Sequence, residues 1–243
     1  MDYVLNDGAA NGARLGLIVL ATDETLEFEA RQVLASRDVQ LLHARIPVAS
    51  EITPETLAQM DAAMPVAAGL LPAGLDVIGY ACTSGATVIG QARVAEQIRS
   101  VHPAIQVSDP ISAVIAALGH LGVRRIGMVT PYVARVTAPM CALLAASDID
   151  VVREISFAEG DDRRVARIDP ASTRAALLEA AKAPEVEALF ASCTNLQTFA
   201  IIDEVEAITG LPVVTSNQAL VWHLLRLAGV DAAGWGPGLL FRT

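Results

Sequence analysis

The chain has 243 residues, of which 53% are hydrophobic, 18% charged and only 4% aromatic, and its net charge is −10. That length suits one sizeable domain or two small ones, with a core built from Ala, Val, Leu and Ile. An acidic surface with no basic run repels phosphate backbones, and few aromatics remain to stack on bases, which argues against nucleic-acid binding.

Met1 to Gly12 is polar and acidic, without the basic-then-apolar order of a signal peptide. Every apolar stretch is broken well short of the roughly 20 residues that a bilayer requires. The expectation is a cytoplasmic protein with no membrane partner. Leu15–Ala21 then reads as a first strand, Glu24–Ser36 as a helix and Val39–Ile46 as a second strand. Pro54–Leu71 is helical in period, Val77–Ala81 a third strand, Ala86–Arg99 a helix and Ile105–Ser108 a fourth strand. The pattern restarts with strands at Ile126–Thr130, Val151–Phe157, Ala188–Ala191 and Val213–Thr215. Helices fall between and after them near Met140–Ala146, Pro170–Lys182, Leu196–Ile208 and Gln218–Ala228. Strands apolar on both faces and separated by helices predict parallel sheets covered on both sides.

The second half repeats the first. Arg14-Leu15-Gly16 recurs 111 residues on as Arg125-Ile126-Gly127, and Cys82-Thr83 recurs at the same offset as Cys193-Thr194. Ser36 and Ser147 share that offset. A period this long is a duplicated domain and not a short-repeat solenoid. The predicted fold is α/β: two similar Rossmann-like domains with parallel sheets, related by a pseudo-twofold, with the site in the cleft between them. The expected units are residues 1–122 with 217–243, and residues 123–216.

Ligands of such sheets bind beyond the carboxyl ends of the strands, where Cys82 and Cys193 fall. Each thiol is followed by small polar residues and a predicted helix, whose N-terminus favours thiolate and lowers the pKa. Two thiols on opposite sides of one molecule can remove a proton from one face of a carbon and return one to the other. One can instead add to an activated double bond. Both can also be plain buried hydrophobes lining a binding cleft. Cys141 lies in a helical stretch with no counterpart at the repeat offset and reads as structural. Three widely spaced cysteines make neither a disulfide framework nor a zinc site. The histidines (His43, His102, His120, His223) show no metal spacing, so no metal is expected.

Tyr80-Ala-Cys-Thr-Ser-Gly85 and Ala191-Ser-Cys-Thr-Asn195, each after an apolar strand, resemble the two active-site segments of the Asp/Glu racemase superfamily. The likeness runs from Gly16 to Gly229 and is strongest to the branch with maleate cis-trans isomerase and arylmalonate decarboxylase. Leu20-Ala-Thr-Asp-Glu24, Thr130-Pro-Tyr132, Ser216-Asn-Gln-Ala-Leu220 and Trp222-His223 most resemble its ectoine-utilisation protein A subgroup. The resemblance implies an isomerase without a cofactor, commonly a homo-oligomer, acting on a small carboxylate through Cys82 and Cys193. Decarboxylases of this branch keep only the second cysteine, so racemisation or epimerisation of an amino-acid-like substrate is expected first, with a role in ectoine breakdown. Maleate isomerisation comes next, with Cys82 as nucleophile. Arylmalonate-type decarboxylation and a non-catalytic binding protein remain after it.

The resemblance also nominates substrate-binding residues. Tyr132 matches a tyrosine that maleate isomerases use near a substrate carboxylate. Asp23 and Asp162 stand where those enzymes carry asparagines, with Glu27 in the place of an accompanying glutamate. An ionised carboxylate only accepts hydrogen bonds and repels a second one. An ammonium or amide on the substrate therefore fits Asp23 better than maleate does. Asp23 also reads as a helix cap, and Asp162 as part of a solvated charged loop. Thr83, Ser84, Thr194 and Asn195 beside the thiols, and Asn217 after the last strand, complete the expected set.

Overall fold

The computed structural model describes residues 1–5 and 11–243; part of the amino-terminal stretch read above as lacking a signal, residues 6–10, lies outside the described residues. The first half runs β1 (Arg14–Leu20), α1 (Leu26–Leu34), β2 (Gln40–Ile46), α2 (Pro54–Ala58), α3 (Met60–Ala68), β3 (Val77–Ala81), α4 (Thr83–Ile89), α5 (Gln91–Arg99), β4 (Gln106–Ser108) and α6 (Pro110–His120). The second runs β5 (Arg125–Thr130), α7 (Ala134–Ala145), β6 (Asp150–Ser156), α8 (Asp162–Val165), α9 (Pro170–Ala180), β7 (Ala188–Ala191), α10 (Phe199–Thr209), β8 (Val213–Thr215) and α11 (Ser216–Leu227).

The two sheets have the same order, β2-β1-β3-β4 and β6-β5-β7-β8, and every pairing is parallel. The predicted duplicated α/β architecture is what the chain forms. Its repeated residues have physical causes. A Cβ at Gly16 would stand 2.8 Å from Leu75 Cδ1, and one at Gly127 would stand 3.1 Å from the Ala180 Cβ, so a side chain at either position would crowd a packed neighbour. The start of β1 is fixed by the Arg14 N–H donating to Asp76 (2.7 Å), and that of β5 by the Arg125 N–H donating to Glu187 (3.0 Å). The serine match slips: the left-handed residues before the second strands are Ser36 and Asp148, not Ser147.

Helix boundaries differ from the expectation at places with local reasons. The stretch 86–99 divides at Gly90, whose φ of 93° no helix accommodates, and α4 starts earlier, at Thr83. The stretch 54–71 forms two helices, α2 behind a Thr53 capping box and α3, which contains Pro65. The expected helix at 196–208 begins only at Phe199, because the residues after β7 make a turn. Helix α6 was not anticipated, although Asp109 caps it and Pro110 opens it. The helices that follow the last strand of each half, α6 and α11, pack on each other, and α11 also touches α1 and β3. That exchange, with the Thr83 hydroxyl donating to the Ser216 hydroxyl (2.8 Å), ties the halves together below the strand ends.

Candidate active site

Cys82 is the first residue past β3, 2% exposed, and its Sγ accepts the Gly85 N–H at 3.2 Å, with the Ser84 hydroxyl at 3.7 Å. Cys193 follows β7 by two residues and is equally buried. It sits in a turn and not at a helix N-terminus, and its Sγ accepts the Asn195 N–H at 3.3 Å. Tyr132, buried after β5, neighbours both sulfurs: charge on either would push its pKa up further, and its phenol is a hydrogen-bonding neighbour of Cys193.

These groups surround a chamber of about 10 Å³ whose walls include Cys82, Ser84, Tyr132, Asp162 and Thr194. Cys193 is not among its lining residues, whereas the adjacent Thr194 is. The space suits about one water molecule and no organic acid. It is roofed by residues 48–52, which cross from the first half to the second: the Ile52 N–H donates to the Gly160 carbonyl (2.8 Å) and the Asp162 N–H to the Ser50 carbonyl (2.9 Å), around an antiparallel bridge of Glu51 with Asp161.

The helix-dipole expectation for the thiols does not hold. Burial pushes Cys82 up to about 12, against the pull of Gly85 and Ser84. Cys193 is also raised, by burial and then by the Asp162 charge. Both are neutral thiols in this closed form, because desolvation of a sulfur anion outweighs one or two N–H donors.

Asp162 is not in a solvated loop. It is 5% exposed, accepts from the Thr22 hydroxyl (2.5 Å) and the Asn195 amide (3.2 Å), and burial raises its pKa. Asp23 is 2% exposed. Its Oδ1 accepts the N–H groups of Thr25 and Leu26, both at 2.9 Å, so it satisfies the N–H that opens α1, although the N-cap position itself is Thr25. Its Oδ2 is buried and makes no well-formed hydrogen bond among the described residues, although the Thr194 hydroxyl lies near enough to favour the charged form; burial outweighs that and lifts the carboxyl to about 6. Asn195 is the joint between halves: its amide donates to the Thr22 carbonyl and to Asp162, its Oδ1 accepts the Glu24 N–H (2.9 Å), and its carbonyl accepts the Thr25 hydroxyl.

Two nominated residues face elsewhere. Thr83 gives its hydroxyl to Ser216, and Asn217 donates its amide to Glu29 (2.7 Å) and to the Thr194 carbonyl (2.8 Å), bracing the turn of Cys193 from behind. The acid that matters on α1 is Glu29, not Glu27: Glu27 pairs with Arg45 at the half-exposed edge (2.9 Å). Glu29 is buried and also accepts the N–H groups of Thr198 and Phe199. Only its apolar helix face marked it in the sequence. Among the described residues, no cluster of His, Cys, Asp and Glu could hold a metal ion, and no helix is long and apolar enough to cross a membrane.

A duplicated α/β scaffold that buries one thiol beyond the third strand of each half, with a tyrosine beside both, defines a two-cysteine protein whose site lies between the repeats. The chain belongs to the arylmalonate decarboxylase family, which it matches over residues 15–241. A maleate isomerase of Geobacillus stearothermophilus is 27% identical over 231 residues, covering 88% of this chain and 90% of that one. The arylmalonate decarboxylase of Bordetella bronchiseptica is 36% identical over 132 residues, 54% of this chain and 55% of that one. The crystal structure of a maleate isomerase variant from Pseudomonas putida S16 with maleate has a TM-score of 0.85 at 26% identity, covering 95% of this chain and 98% of that one.

Proposed function

We propose that this protein is an isomerase of a small carboxylate that carries an ammonium or amide nitrogen, and that Cys82 and Cys193 are its acid/base pair. The observation that carries the substrate class is the buried, unpartnered Oδ2 of Asp23. Such an oxygen costs about 1–3 kcal/mol until it receives a donor, and a substrate N–H supplies one. An ammonium there also offsets the negative charge of Asp23 that raises Cys193, which favours the thiolate needed to take the Cα proton. Cys82 then donates its proton to the opposite face, inverting the centre. In this reading Ser84, Thr194 and Tyr132, which line the chamber, hold the substrate carboxylate. An amino acid or an N-acetylated diamino acid satisfies these demands, and the second suits a place in ectoine breakdown. The same reading takes residues 1–122 with 217–243 and residues 123–216 as the two units, supported by the packing of α11 on α6, α1 and β3.

Maleate cis-trans isomerisation is the second reading, favoured by relatives of that name that match almost end to end. In it, Cys82 adds to the double bond and Cys193 supplies the proton to the adjacent carbon. Incubation in deuterated water with amino acids, N-acetyl diamino acids and maleate separates the two. Cα exchange with racemisation is the expected result. Fumarate formation with a thioether on Cys82 would replace it with the second reading. In either case Cys82→Ser and Cys193→Ser should each lower turnover by orders of magnitude with the fold intact. Activity within a few-fold of wild type in both would remove the two-thiol chemistry.

A further inference from the structure

Burial makes the Cys82 anion costly, so the groups that can reach its sulfur decide whether it forms at all. Two are evident, the Gly85 N–H and the Ser84 hydroxyl. A third lies behind. Tyr80 lies in β3 and Cys82, one residue past its end, keeps the extended backbone (φ −150°, ψ 113°), so the two side chains leave on one face. Tyr80 is fully buried, and its hydroxyl donates to Met60 Sδ at 3.2 Å. The two groups converge on Gly85: a Cβ there would overlap the Tyr80 hydroxyl and stand 2.9 Å from Cys82 Sγ and 3.0 Å from Met60 Cε. Glycine at this position, in the first turn of α4, therefore keeps open the gap between phenol and thiol.

We propose that Tyr80 is a positioning residue for Cys82, whose hydroxyl rests on Met60 Sδ while the sulfur is protonated and turns to it when the thiolate forms. A thioether is a weak acceptor, so little is lost on leaving it. A thiolate is a strong one, and a hydrogen bond to a charged group is about twice as strong as a neutral one. Tyr80 cannot surrender its own proton in the exchange, because burial and the neighbouring sulfur hold its pKa well above the usual phenol range. The pair Tyr80–Met60 is thus a parked donor, engaged only when the sulfur is charged. This inference rests on Cys82 becoming a thiolate as it gives up its proton in the proposed function, but it is testable without any substrate.

The test is the rate at which iodoacetamide alkylates each cysteine near pH 9, followed by peptide mass spectrometry, since only the thiolate reacts. Cys193, as deeply buried as Cys82, is the internal reference for access. Tyr80→Phe should slow Cys82 about tenfold relative to Cys193. Met60→Leu, which removes the competing acceptor, should speed Cys82 a few-fold relative to Cys193. Ratios within twofold of wild type in both variants would overturn the proposal. Where Tyr80→Phe does not fold, Met60→Leu decides alone: a faster Cys82 supports the parked donor, and an unchanged or slower one overturns it. A protein that shows these ratios but exchanges no Cα proton and isomerises no maleate would sink the functional reading and leave the Tyr80 assignment standing.

Discussion

At the scale of single residues, Asp23 carries the most information, because its two oxygens do different things. One accepts the N–H groups that open α1, from two residues ahead of the N-cap Thr25 and not from the cap position that the pattern Asp-Glu-Thr-Leu suggests. The other is buried without a well-formed hydrogen bond, which no local pattern could reveal, since its surroundings depend on elements distant in sequence. Its carboxyl is lifted to about 6 by burial, so above that pH it is an acceptor and below it a donor shaped like asparagine. Maleate should therefore bind more tightly as pH falls through about 6, and a substrate ammonium less tightly. Asp23→Asn should bind maleate at least about tenfold better at pH 8, following the cost of like charges in a dry site. The affinity ratio of variant to wild type, read by calorimetry, should shrink toward one near pH 5. Maleate's own ionisation affects both proteins alike and cancels in the ratio. A ratio flat across pH 5–8 would show that Asp23 does not face the ligand. The two cysteines themselves were legible from their repeat. Their suppressed acidity was not, because burial is a property of the folded neighbourhood.

At the scale of elements, sequence period located the strands well, most plainly the buried inner ones such as β3 and β7, since a short apolar run has few other uses. Helices were harder at their ends. Gly90 and the turn after β7 override periodicity through backbone geometry, and the consequence is functional: Cys193 sits on a turn that needs bracing from outside. Glu29 on α1 provides it, accepting the free N–H groups that open α10 and the Asn217 amide that also grips the Thr194 carbonyl. Burial lifts Glu29 from its ordinary range to about 7, although these donors pull it down. A raised carboxyl binds its proton more tightly in the folded state than in the unfolded one. Its contribution is thus fully present below about 4.5 and lost as pH rises through about 7. The shift corresponds to a decline on the order of 3 kcal/mol. Glu29→Gln cannot ionise, so its urea midpoint should fall less steeply than that of wild type between pH 4.5 and 7. Parallel curves would mean that Glu29 keeps its ordinary affinity for protons in the fold.

At the scale of the whole molecule, duplication was legible because it leaves identical residues at one offset, and Gly16 with Gly127 shows why: each central strand must admit a close neighbour. The roof was not legible, because residues 48–52 have no regular period and meet their partners more than a hundred positions away. That roof sets a kinetic requirement. A chamber of about 10 Å³ cannot admit a four-carbon acid, so a substrate of that size needs the chamber to widen, and the two backbone bonds joining Ser50 and Ile52 to Asp162 and Gly160 are the ties that hold its roof. Glu51 and Asp161 face each other between those bonds as a non-hydrogen-bonded antiparallel pair, the arrangement in which Cα atoms lie about 4.5 Å apart. That spacing suits a disulfide. The double variant Glu51→Cys with Asp161→Cys, once oxidised, should hold the roof shut and lose nearly all turnover and cysteine alkylation. Reduction should restore both, while wild type taken through the same cycle serves as reference. Full activity in the oxidised, cross-linked protein would mean that substrate reaches Cys82 by a path that leaves the bridge between the halves intact.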